Sequence, residues 1–166
     1  GISRYEYLAN FYNDNCKNDY STTALNFFQP VETPNTFDVF ADGSELIGNN
    51  PKFQKYKGKL DFVFTSPPYF NVERYSYDDT QSWVKYKEIN EWNEHFLQRT
   101  LKNLWCSVKS GGYLLVNISD VYTNSKWSTD RGWLEICNPM NNFLSTFTDS
   151  EYQGCIGMEL AKRPNS

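Results

Sequence analysis

At 166 residues the chain fits a single domain and is long enough to bury a real core. Sixteen basic against twenty acidic side chains leave a net charge of −4, which excludes an overall basic footprint for nucleic acid. Four scattered cysteines with no Cys-x-x-Cys pair, and a single histidine, argue against a zinc centre and read as reduced thiols of a cytoplasmic protein. No apolar run is long enough to cross a bilayer and none has the layout of a signal peptide, so no membrane partner is expected.

The chain opens abruptly. Ser3 and Glu6 have capping-box spacing, which predicts a helix running to about Cys16, with Tyr5, Leu8, Ala9 and Tyr12 as its apolar stripe. With only Gly1 and Ile2 before that cap, the chain reads as cut from something longer. Residues 13–35 are polar and broken by Pro30 and Pro34, so a loop is expected there. Residues 36–41 alternate loosely and predict a strand that ends in Asp42, Gly43 and Ser44. A carboxylate at that point can accept a hydrogen bond from an adenine amino group, and Asp-Gly-Ser-Glu equally suits a turn or a helix cap. Residues 46–59 read as a solvated connection with one helical turn.

Residues 60–65 form an apolar, aromatic-rich run that predicts a buried strand. Pro67 and Pro68 must end it, because neither carries a backbone N–H for the ladder. Ser66 to Phe70 should therefore form a stiff loop at the carboxyl end of the strand, where open α/β sheets bind ligands. Residues 70–90 are a long connection in which Asn71, Arg74 and several tyrosines can meet a phosphate and stacked bases, or merely pack among themselves.

Residues 90–109 predict the most regular helix, with Trp92, Phe96, Leu97, Leu101, Leu104, Trp105 and Val108 at helical spacing, ended by Gly111-Gly112. A strand over 113–119 follows, leaving Asp120 at its carboxyl end. Residues 121–136 read as a second long loop. Asn138-Pro139 reads as the cap and first position of a helix buried through Met140, Phe143, Leu144 and Phe147. A last strand is expected over 153–160. Four strands alternating with helices predict an α/β fold: an open, mostly parallel sheet with helices on both faces.

Thr65-Ser66-Pro67-Pro68-Tyr69 resembles the catalytic motif of DNA amino-methyltransferases, which methylate an exocyclic base nitrogen with S-adenosylmethionine. In that family an Asp, Asn or Ser precedes Pro-Pro and an aromatic residue, and the Ser form is commonest in the N4-cytosine enzymes. The order helix, Gly-Gly, apolar strand, polar residue after the motif is similar too. The resemblance implies a Rossmann-like methyltransferase fold, of which residues 1–166 are the central and C-terminal part of one catalytic domain. The first strand and its Gly-rich cofactor loop are not found in the sequence, and a segment or partner chain would supply them. It implies that Ser66, Pro67, Pro68 and Tyr69 form the catalytic loop, with Asp42, Gly43, Ser44 and Thr65 at the cofactor. Phe70, Asn71, Arg74 and Asp120 would border the substrate. The partner implied is double-stranded DNA with the target base flipped out. The open alternatives are an N6-adenine or RNA base methyltransferase, and a non-catalytic fragment acting as a binding module.

Overall fold

A computed structural model of the chain describes residues 2–15, 38–124 and 132–157. The expected loop over 16–35, the start of the expected strand at 36–37, the loop residues 125–131 and the end of the expected strand at 158–160 lie outside the described residues. Within them the protein is mixed α/β. Helix α1 spans Ile2–Asn15, strand β1 Leu60–Thr65 and a one-turn helix α2 Ser82–Lys85. The long helical segment is made of α3 (Ile89–Trp92), a π-helical stretch (Asn93–Gln98) and α4 (Arg99–Trp105). Strand β2 covers Val108–Val116, β3 Val121–Thr123 and β4 Gly132–Leu134, and α5 closes the order at Cys137–Leu144.

Two small sheets result. β1 and β2 pair in parallel, with Phe62 opposite Tyr113, Val63 opposite Leu114, Phe64 opposite Leu115 and Thr65 opposite Val116. β3 and β4 form an antiparallel hairpin inside what the sequence suggests is a loop. The core lies between the helical segment, α5, the hairpin and one face of β2. Phe70, Trp92, Phe96, Leu97, Leu101, Val121, Leu134, Ile136 and Met140 are its buried members, with Leu114 and Val116 packed on them. The other face of the parallel pair is bare: Phe62, Phe64, Tyr113 and Leu115 stand 56%, 57%, 60% and 41% exposed.

Several expectations change. The four-stranded sheet is not formed among the described residues. Residues 38–41 are not a strand, because their groups are committed to the turns that follow. Phe40 packs edge-on against Phe53 and Tyr56, and Asp38 is held by the Tyr56 hydroxyl and by Lys55. Residues 151–157 are exposed and irregular with no ladder partner, Gly154 takes φ +112°, and Ile156 is 87% exposed. Helix α1 forms nearly as expected, yet Tyr5 and Leu8 of its stripe face solvent; the side chains of Ala9 and Tyr12 lie outside the described set.

The Gly-Gly pair does not end the helix either. α4 stops at Trp105, and Gly111 and Gly112 sit inside β2, beside the irregularity that lets three extra residues into its pairing with β1. Gly111 takes φ +76°. A side chain at Gly112 would stand 2.8 Å from the Asp61 carbonyl oxygen and 3.0 Å from that of Leu60, so the close approach of the two strands requires glycine there.

Candidate functional site

The site begins where β1 leaves the sheet. Thr65 is its last residue, and the Asn117 N–H donates to the Thr65 carbonyl at 2.9 Å, carrying the parallel pairing one residue beyond the end of β2. Ser66 and Asn117 therefore stand side by side at the carboxyl edge. The Asn117 amide Nδ2 lies 3.5 Å from the exposed Ser66 hydroxyl oxygen.

From there the chain turns twice. The Phe70 N–H donates to the Pro68 carbonyl at 2.9 Å and the Val72 N–H to that of Tyr69 at 3.0 Å. Phe70 takes φ +48°, an uncommon conformation for a bulky side chain and one that costs on the order of 1–3 kcal/mol. What over-determines it is the ring, wholly buried against Trp92 with centroids 5.9 Å apart. Phe70 is thus the anchor of the loop and does not offer its ring to a ligand. Tyr69 is half-buried on the core cluster, and its N–H reaches the Glu73 carboxylate at 3.4 Å.

Asn71 and Arg74 are also built into the loop. Asn71 is 2% exposed, its Oδ1 accepts from the Thr123 hydroxyl at 2.9 Å, and its buried Nδ2 has no hydrogen-bond partner. Arg74 Nε donates to the Asn71 carbonyl at 3.1 Å, and its guanidinium lies 5.3 Å from the centre of the Trp83 ring. The Tyr75 hydroxyl donates to Glu73, which holds the phenol above its ordinary pKa.

Asp120 lies elsewhere. The β2 ladder ends at Val116, and Asp120 turns toward α5, where it accepts the Ile136 N–H at 2.7 Å and the Cys137 N–H at 2.8 Å. Those two donors, Cys137 first, hold its carboxyl below the usual carboxylate range. It caps a helix rather than lining the loop. Burial, then the Asp120 charge, pushes the Cys137 thiol up.

Asp42, Gly43 and Ser44 do not fit a cofactor cradle. The Asp42 carboxylate accepts from Asn50, and a side chain at Gly43 would strike the Glu45 carboxylate at 2.5 Å. Ser44 shares a 2.9 Å hydrogen bond with Thr100 and gives its carbonyl to Asn103 at 3.1 Å. The segment is a turn pinned to α4. A cavity beside it, lined by Gly48, Phe53, Gln54, Lys57, Asn103, Cys106 and Ser107, measures about 130 Å³, well below the several hundred of a nucleotide-sized site. Among the described residues no cluster of His, Cys, Asp or Glu could hold a metal, and no helix is long and apolar enough to cross a membrane.

Of the expected site residues, Thr65, Ser66, Pro67, Pro68 and Tyr69 stand together at the sheet edge, and Phe70, Asn71 and Arg74 brace them. Asp120 and the 42–44 turn serve other contacts. The residue that sequence reasoning passes over is Asn117: with the strand read to 119 it counts as interior, whereas it is the first polar residue after the apolar run and lies beyond the ladder. No protein-family model, no curated protein and no solved structure matches this chain.

Proposed function

We propose that this chain carries the base-binding part of an S-adenosylmethionine-dependent DNA amino-methyltransferase, acting on N4 of cytosine. The observation that supports it is the placement of Ser66-Pro67-Pro68-Tyr69 at the carboxyl end of a strand paired in parallel, with a polar side chain at the neighbouring strand's end. A cytosine amine is a poor nucleophile because its lone pair is delocalised into the ring. The Ser66 hydroxyl and the Pro67 carbonyl would accept its two hydrogens and favour a tetrahedral nitrogen. Tyr69 would lie against the flipped base, and the Phe70 anchor and the two prolines keep the loop from rearranging as it binds. The described residues hold no fitting cofactor cradle, so the cofactor half of such a site comes from another segment or chain.

The test is methyl transfer from labelled S-adenosylmethionine to double-stranded DNA by the complete protein, with the product base identified. N4-methylcytosine is expected. Ser66→Ala should lower the rate about a hundredfold, the scale of losing one positioned hydrogen-bonding group. Its thermal unfolding should be unchanged, because Ser66 is an exposed loop residue. N6-methyladenine as product would move the reading to the adenine enzymes. The bare apolar face of β1 and β2 favours a second reading, a non-catalytic binding module, and absence of any transfer would support it.

A further inference from the structure

Resting on the reading of the Ser66 loop as a base site, we infer that Thr123 is a positioning residue. From the β3–β4 hairpin its hydroxyl fixes the buried Asn71 amide, and through Asn71 it holds the Ser66-Pro67-Pro68-Tyr69 loop in the shape that receives the base.

Three observations carry this. First, the loop holds a conformation it would not keep by itself: Phe70 takes φ +48°, which persists only where the surroundings over-determine it. The Phe70 ring, wholly buried against Trp92, is one hold. That contact is apolar and carries no direction, so alone it leaves the backbone free to pivot on the ring. Second, the next residue supplies the missing direction. Asn71 is buried, and its Oδ1 accepts from the Thr123 hydroxyl at 2.9 Å. Its carbonyl accepts from Arg74 Nε at 3.1 Å, while its Nδ2 has no hydrogen-bond partner among the described residues. The Thr123 bond is thus what orients the side-chain amide, and no second side-chain bond stands in reserve. Third, Thr123 stands on a fixed base. It is buried on β3, where Val121 pairs with Leu134 and both lie in the core. Asp120 closes the open end of the hairpin on the Ile136 and Cys137 N–H groups.

The consequence follows from where the holds act. Phe70 and Asn71 are adjacent in the chain and are gripped by different elements, the helical segment and the hairpin. A chain held at one point can swing; held at two neighbouring points, one of them directional, it cannot. The Phe70 N–H is bonded to the Pro68 carbonyl and the Val72 N–H to that of Tyr69, so the same two holds fix Pro68 and Tyr69. An acceptor such as the Pro67 carbonyl helps a reacting amine only if it already points at the nitrogen, since turning it into place during the reaction raises the barrier. A valine at 123 keeps the shape of threonine and removes the hydroxyl. It leaves the Asn71 amide buried with neither of its side-chain groups bonded, and the loop can satisfy them only by opening to water.

The experiment compares wild type, Thr123→Val and Thr123→Ser in the complete protein. It measures hydrogen exchange at the Phe70 and Val72 amides, and methyl transfer to DNA with kcat per folded molecule and KM separated. Thr123→Val should speed exchange at both amides about tenfold and lower kcat by a similar factor. Its KM for DNA should stay within about twofold, because affinity for DNA rests largely on the phosphates. Thr123→Ser, which restores the hydroxyl, should return exchange and kcat to near the wild-type values. Exchange that Thr123→Val leaves unchanged, or faster exchange with kcat unchanged, overturns the inference while the base reading stands. A loss that Thr123→Ser fails to restore also overturns it, since the cause is then the shape of the side chain and not its hydroxyl. Wild-type protein that transfers no methyl group to DNA overturns both.

Discussion

Asp120 shows how a carboxylate expected at a binding site can turn out to hold a helix. It lies 16 and 17 positions before the two N–H groups it accepts, so it caps α5 from a distance and ties the end of the β2 segment to it. Its folded pKa is depressed, so the stabilisation is complete above the ordinary carboxylate pKa and is lost as the pH falls through the depressed value. Asp120→Ala should cost about 1 kcal/mol near neutral pH, the usual worth of such a cap. The difference in Tm between wild type and variant should shrink as the solution is acidified below the carboxylate range. A difference independent of pH would mean that the carboxylate contributes by packing and not by its charge.

At the level of elements, the pairing of β1 with β2 decides whether a site exists, and Gly112 decides whether the pairing closes. Gly112→Ala should cost about 1–3 kcal/mol, because its methyl group would meet two backbone carbonyls that cannot move aside independently. Gly111→Ala, which points into open space but needs φ +76°, should cost about 1 kcal/mol. Urea unfolding of the two variants separates close approach from backbone strain, and equal costs would refute this account.

The same elements show what was legible in the chain. The strand over 60–65 and the helical core residues Trp92, Phe96, Leu97 and Leu101 could be read from local pattern, and packing agrees at the helix. The burial expected of the strand does not hold, since Phe62 and Phe64 are exposed. Residues 38–41 and 151–157 could not be read, since a strand-like pattern becomes a strand only where a neighbour completes its ladder, and the side chains of Asp38 and Phe40 are instead engaged with Phe53, Lys55 and Tyr56. The sequence pattern places the strand at 113–119, whereas β2 runs from Val108 to Val116. Gly111-Gly112 resembles a helix stop but serves strand approach, and Asn117-Ile118-Ser119 keeps the polar and apolar alternation of a strand after its pairing has ended. That three-residue error is what favours Asp120 over Asn117 on paper.

For the whole molecule the notable surface is the uncovered face of the parallel pair. Parallel strands with apolar residues on both sides are ordinarily covered on both. Here Phe62, Phe64, Tyr113 and Leu115 meet water. The double variant Phe62→Lys, Phe64→Lys should therefore bind less of a hydrophobic dye and self-associate less. It should lose little stability, on the order of 1 kcal/mol or less. A loss of about 3–5 kcal/mol, the scale for a buried aromatic, would show that this face is covered in solution.

The nearness of Ser66 and Asn117 also bears on how the protein folds. They lie 51 positions apart, and between them run the helical segment and most of the core. Closing a loop of that length costs entropy that no local contact repays, so the parallel pairing waits until the intervening helices have condensed. The two side chains then come together in the last stage of folding. A probe on either one would report the arrival of the finished native state, where the fluorescence of the wholly buried Trp92, read in a variant with the other four tryptophans replaced by phenylalanine, would report the earlier collapse.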